Sequence, residues 1–315
     1  MITLRQLNFS EVKNQHFDFY LAASGFEERA SYQSKEFVGH VENKIVLAFT
    51  GEMDDPTRKL NDMFFNNNNF TSYLIDGEEP DNKVLEKIVD DIIELLERKT
   101  DVNVYIDYSS MTRNWYAYFL FAIKNLLTDK KITLTFGYSH GKYVPFDGSN
   151  TLNRIVKPIY GYCNLSVPSK PTALIIGIGN EINRIYGLKE YFDAIPYLFY
   201  SDISYSGEYA LEIETLNKEF LDETKLENIF RYPIHDLIYT NYLLENLCKA
   251  LLNDFRIIIA PCGPKPFALL AMINAIKYEN DIEVWRISPG NKISKINREP
   301  TGLVTILEVT LTNIN

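Results

Sequence analysis

At 315 residues the chain has room for two domains of ordinary size, and 46% hydrophobic with 13% aromatic residues is enough apolar material for a core in each, which excludes disorder as the default state. A formal net charge of −10 argues against a general duplex nucleic-acid binder, because such proteins draw most of their affinity from a basic face. Cys163, Cys248 and Cys262 are too widely spaced for a disulfide framework or a paired metal motif, and no apolar leader or bilayer-length stretch is visible, so a cytoplasmic protein with no membrane partner is expected.

In chain order, the first half opens with a strand at 17–23, a turn at 24–29 and a helix, then a strand at 44–50. A loop and short helix follow and end at the run Asn66 to Asn69, since four asparagines favour a turn. A strand at 71–76 and a loop with Pro80 lead to residues 83–99, where Val84, Ile88, Ile92 and Leu96 recur at helical spacing. A strand at 103–108, a turn at 109–113, an apolar helix and a strand at 132–138 complete this half. Residues 147–150 and those that follow read as a hairpin or connector, and the prolines at 168 and 171 mark the boundary, giving units 1–167 and 168–315.

The second half repeats the plan with strands at 172–179, 196–201 and near 230–234, a helix at 240–254, a strand at 256–261, a helix and a strand at 282–288. A last alternation at 303–312 reads as an edge or returning strand. Strands that are apolar almost throughout, separated by helices, imply mostly parallel sheets covered on both faces, an α/β class.

Three landmarks recur in the same order. Gly25 and Gly179, each with a Glu two places on (Glu27, Glu181), lie 154 residues apart; the loop cations Arg113 and Lys265 lie 152 apart; the Ser-x-Gly strand ends at Ser139 and Ser288, with Gly141 and Gly290, lie 149 apart. The pattern predicts two tandem copies of one α/β unit related by internal duplication, with a ligand held between the halves.

Ligands of open parallel sheets sit beyond the carboxyl ends of the strands. Four turns fall at such ends, and they supply the candidate ligand contacts: Ser24, Gly25 and Arg29; Ser109, Ser110, Thr112 and Arg113; Gly179 and Asn180; Gly263 and Lys265. Small residues let a ligand approach the backbone, helix-opening N–H groups suit a phosphate or carboxylate, and the two cations add charge. Each feature also has a plainer reading. A glycine after a strand serves a tight turn, Ser109, Ser110 or Thr112 can cap the next helix, and Glu27, Glu28 and Glu181 suit a helix dipole as well as acid–base chemistry. Asp107, a further candidate acid–base group, can pair with Arg113 or Arg29 or hold a ligand hydroxyl. Cys262 fits an inert core cysteine better than a nucleophile, and His16, His40, His140 and His235 form no close pair, so neither a metal nor a cofactor is expected.

At these turns the sequence resembles the CRISPR-associated Rossmann-fold sensor domains and their tandem SAVED relatives, whose ligand loop reads Asp-x-Thr-Gly-Gly-Thr-Lys-Pro after a strand. Asp107, Ser109, Thr112 and Arg113 fall in register with its Asp, two Thr and Lys, while Gly263, Lys265 and Pro266 match its Gly-x-Lys-Pro ending. Ser110 and Met111 replace the glycine pair in one copy, and Cys262, Pro264 and Ile259 depart in the other. The resemblance covers four short turns and the architecture. It implies two Rossmann-like units binding a cyclic or linear oligonucleotide second messenger in prokaryotic antiviral defence. The protein would then be a stand-alone sensor, a messenger-degrading enzyme or one subunit of a larger defence complex with a partner protein. Two rival readings are an enzyme acting on a nucleotide or sugar-phosphate, such as a ring nuclease, nucleosidase or transferase with acid–base chemistry from Glu27, Glu28 or Asp107, and an adaptor with degenerate sites that holds a partner protein through its acidic, aromatic-rich surface.

Overall fold

The computed structural model describes residues 1–36, 41–77, 82–125, 130–145, 155–163, 169–180, 184–279, 281–288 and 296–312. His40, Pro80, the connector at 147–150, the boundary residues 167–168, Glu181 and Gly290 therefore lie outside the described residues.

Chain order begins with β1 (Ile2–Leu7), α1 (Phe9–Val12), β2 (Phe17–Ser24), a 3-10 turn (Glu28–Ser31), α2 (Tyr32–Glu36), β3 (Val41–Phe49), α3 (Pro56–Asn67) and β4 (Thr71–Ile75). It continues with α4 (Asn82–Arg98), β5 (Asp101–Asp107), α5 (Arg113–Asn125) and β6 (Lys131–Gly141). Next come β7 (Ile155–Pro158), β8 (Thr172–Gly177), α6 (Arg184–Phe192), β9 (Ala194–Ser201), α7 (Ile203–Leu216) and α8 (Lys218–Glu223). The last elements are β10 (Ile229–Tyr232), α9 (Leu237–Leu251), β11 (Arg256–Pro261), α10 (Lys265–Lys277), β12 (Ile282–Ser288) and β13 (Pro300–Leu311). The first half thus opens on β1, not on the strand at 17–23. β1 is an edge strand with only Leu7 buried, so its alternation is too shallow to read from the sequence.

Two compact units result: Met1–Val144 with Ser294–Asn315, and Pro145–Ile293. The sequence draws the division at 167/168, with the last strand in 168–315; β13 pairs antiparallel with β6 and β1 in the first unit's sheet. That sheet has the order β1-β13-β6-β5-β2-β3-β4, and the second unit's sheet has the order β10-β9-β8-β11-β12-β7. Within each, five strands are mutually parallel: β2, β3, β4, β5 and β6 in the first, and β8, β9, β10, β11 and β12 in the second. Counted within each unit, both parallel sets run 3-2-1-4-5. An antiparallel strand then flanks the fifth: β13 beside β6, and β7 beside β12.

The residues explain the elements. Every position of β2 is buried, as is all but the first of β8 and of β11, as expected for central parallel strands. Helix α4 turns Leu85, Ile88, Val89, Ile92 and Leu96 inward and its charges outward. Helix α3 starts where the Asp55 side chain accepts from the amides of Thr57 (2.9 Å) and Arg58 (3.1 Å), with Pro56 in the first turn, and it stops before Asn69, whose φ is 60°. Helix α10 is buried from Pro266 to Ile276 and packs on α9, β11 and β12, which is why it is apolar all round. Among the described residues, no helix is long and apolar enough to cross a membrane.

Candidate ligand-binding site

A 3-2-1-4-5 order reverses direction between its first and fourth strands, and the crevice at their carboxyl ends is where such sheets hold ligands. In the first unit those strands are β2 and β5, paired through Phe19–Val104, Tyr20–Tyr105 and Leu21–Ile106. The turns that follow them therefore flank one crevice: Ser24, Gly25, Glu27, Glu28 and Arg29 on one side, Asp107, Ser109, Ser110, Thr112 and Arg113 on the other.

Much of this constellation is committed to holding the crevice in shape. The Ser24 hydroxyl is buried and donates to Asp62 (2.5 Å), which also accepts from Arg58 Nε (2.8 and 2.9 Å). Asn61 donates to the carbonyls of Gly25 (2.9 Å) and Glu27 (3.0 Å) and accepts from Ser31 (2.7 Å), so α3 fixes the first turn. Arg29 is 4% exposed; it forks onto Glu27 (2.9 and 3.2 Å) and donates to Tyr138 Oη (2.9 Å) and the Ser139 carbonyl (3.2 Å). Burial works against its charge, but Tyr138 and Glu27 outweigh burial and hold the pKa above the usual guanidinium value.

The second turn is braced in the same way. Asp107 Oδ1 accepts from Gln33 Nε2 (2.8 Å), the Ser109 amide (3.1 Å) and Ser109 Oγ (2.5 Å). Ser109 Oγ also accepts from Gln33 (2.9 Å) and from the Ser139 amide (2.8 Å). One donor and two acceptor sites are all a hydroxyl has, so Ser109 is saturated inside the protein. Gln33 is itself held by Tyr105, whose hydroxyl donates to Gln33 Oε1.

Three further residues lie farther along the turn. Ser110, partly exposed, donates to Glu27 (3.3 Å), which links the two turns directly. Thr112 Oγ1 is buried with no hydrogen-bond partner among the described residues. Arg113 is the first residue of α5 and partly exposed. Gly25 is not demanded by sterics, since an added Cβ would sit 3.4 Å from the Phe49 ring. Glu28 is exposed and exchanges two hydrogen bonds with Asn297, its amide donating at 2.9 Å and its carboxylate accepting at 2.8 Å.

The second unit builds its crevice differently. β8 and β11 run together to Gly177–Pro261. The Gly263 amide donates to the Gly177 carbonyl (2.7 Å), and a Cβ at Gly263 would lie 2.4 Å from the Ile178 carbonyl oxygen, so only glycine fits. Gly177 gives way to Phe267 of α10, whose ring would be 2.5 Å from an added Cβ. Gly179 is buried, its carbonyl facing Asn217 Nδ2 at 3.4 Å, and Asn180 is half-buried. Lys265 is the first residue of α10, between Pro264 and Pro266, and partly exposed; Cys262 is half-buried in the same turn. Arg113 and Lys265 thus occupy matching positions, each opening the helix after its unit's fourth strand.

Arg58, Asn61, Asp62, Gln33 and Tyr105 escape sequence reasoning. Their only sequence signal is a polar or hydroxyl group at a position that packing makes internal, which cannot be seen before the fold is known. Far from the crevice, at the amino end of β2, His16, Asp18 and Glu42 converge among the described residues, but the Lys99 ammonium already sits 2.5 Å from Asp18 and 3.3 Å from Glu42.

No protein-family model and no curated protein matches this chain.

Proposed function

We propose that the chain binds a nucleotide-like anion at these crevices and acts as a sensor, and that its two units descend from one duplicated Rossmann-like fold. The observation that carries the reading is positional. In both units, a short turn after the fourth parallel strand ends in a cation that opens the next helix, beside the reversal of strand order. The buried Thr112 hydroxyl, lacking a partner among the described residues, adds a polar atom that a bound group would satisfy. Binding is favoured over turnover because two of the acid–base candidates are engaged by the scaffold: Glu27 by Arg29, and Asp107 by Gln33 and Ser109. The resemblance at the turns narrows the ligand to a cyclic or linear oligonucleotide messenger of an antiviral defence system, with a partner defence protein as the downstream element.

Calorimetry with inorganic pyrophosphate, ATP, and linear and cyclic oligoadenylates tests this. At least one is expected to bind, with Arg113→Ala plus Lys265→Ala weakening it by about tenfold or more, since charge-assisted contacts to anions contribute roughly 1.5–3 kcal/mol each. No heat with any probe, or unchanged affinity in the double variant, rejects the reading. Chromatography of the same probes after incubation would move it to an enzyme if any were consumed.

A further inference from the structure

Resting on that reading, we propose that Arg298 is a third ligand-binding cation, serving the first unit's crevice. Residues 297–299 run into β13 and lie along the first turn. The Arg298 carbonyl accepts from the Arg29 amide (3.2 Å), Asn297 exchanges its two bonds with Glu28, and the Glu299 carbonyl accepts from the Lys142 amide (2.8 Å). The backbone of this segment is therefore pinned independently of the Arg298 side chain.

That side chain is 32% exposed and, among the described residues, meets Glu27 only as a charge pair, Nε to Oε1 at 3.9 Å, beyond hydrogen-bond length. Glu27 is already forked by Arg29 and bonded by Ser110. The other acidic groups nearby have closer partners, Glu28 with Asn297 and Glu299 with the Lys142 ammonium (2.6 Å). A loosely paired guanidinium beside the Ser110 turn is placed to fork onto a phosphate.

The Ser-x-Gly ending of β6 gains a role from this placement. Gly141 is where the Arg298 stem rests: a Cβ there would lie 3.0 Å from Arg298 Cβ and 3.2 Å from Cδ. Ser139 and Gly141 thus seat two arginines, Ser139 through its carbonyl to Arg29 and Gly141 through the space it leaves for Arg298. No positive φ marks Gly141, so alanine would disturb the arginine rather than the backbone.

The test is calorimetry of wild type, Arg298→Ala, Arg298→Lys and Gly141→Ala against the same linear and cyclic oligoadenylates at several salt concentrations, with thermal melts of each variant. Arg298→Ala is expected to weaken binding about tenfold and to reduce the slope of log affinity against log salt by roughly one, while melting close to wild type. Lys should restore part of the affinity, and Gly141→Ala should weaken binding without adding to Arg298→Ala. Unchanged affinity and slope in Arg298→Ala, with Arg113→Ala and Lys265→Ala still impaired, overturns the role of Arg298 alone. If no probe binds wild type, the sensor reading falls and Arg298 with it.

Discussion

The two crevices have the same strand order and reach rigidity by opposite means. In the first unit the turns are held by side chains: Asn61 and Asp62 under one, and Gln33, Asp107, Ser109 and the Ser139 amide under the other. In the second, a long bond from Asn217 to the Gly179 carbonyl (3.4 Å) holds one turn, while at the other backbone meets backbone, with the Gly263 amide on the Gly177 carbonyl and prolines on both sides of Lys265. A polar network can be rebuilt by changing partners, whereas a contact at 2.4 Å from a carbonyl oxygen admits a single residue type. The lesson is that similar turns need not share a mutational profile.

The largest expected effect breaks this comparison at its steepest point. Gly263→Ala should cost about 3 kcal/mol or more in urea unfolding, because the new methyl overlaps the carbonyl oxygen of Ile178, the buried residue that follows β8 and whose amide is bonded to the Phe199 carbonyl (2.8 Å). The same change in the other unit, Gly25→Ala, should stay within about 1 kcal/mol, since the methyl meets an aromatic ring at ordinary contact distance. Equal costs at both sites would remove the distinction.

Next in size is Ser109→Ala. It leaves the buried Ser139 amide without its acceptor and Gln33 with one bond fewer, an expected loss of about 2 kcal/mol. A loss under about 0.5 kcal/mol would show that the first unit does not depend on its polar bracing.

These contrasts explain what was readable beforehand. The central strands and the amphipathic α4 could be read because uniform burial and helical periodicity leave long signals. β1 and β7 could not: β1 buries one residue, and β7 is four residues long with Lys157 and Pro158 at its end. The sheet joined by β13 was equally hidden, since apolar alternation specifies a face and not a partner; pairing with β6 from Val304–Ser139 to Leu311–Ile132 is decided by the assembled fold. The four turns were legible as turns at strand ends, but the division of labour inside them was not. Ser109 and Ser110 are adjacent and chemically identical, yet one is saturated by the scaffold and the other is partly exposed and bonded to Glu27, a difference set by which neighbours the sheet brings close.

The second unit also uses a charged brace, between α9 and α10, and acid should expose it. Glu245 accepts from Tyr278 (2.9 Å), Lys249 (2.8 Å) and Lys277 (2.7 Å). Burial alone would raise its pKa, but these bonds outweigh it and bring the value down to about 2. A carboxylate depressed in the folded state stabilises fully above its unfolded pKa, roughly 4.3, and loses that contribution as pH falls through the folded value. Glu245→Gln should therefore melt below wild type at pH 7 by about 1 kcal/mol, the scale of a partly solvated ion pair, and the two proteins should converge as pH drops from about 4 toward 2. A gap that persists unchanged to pH 2 would mean that the loss comes from packing of the altered side chain. The brace between α9 and α10 would then act through contact, and the charge-dependent support of the second unit would fall to pairs such as Arg256 with the buried Glu283 (2.9 Å).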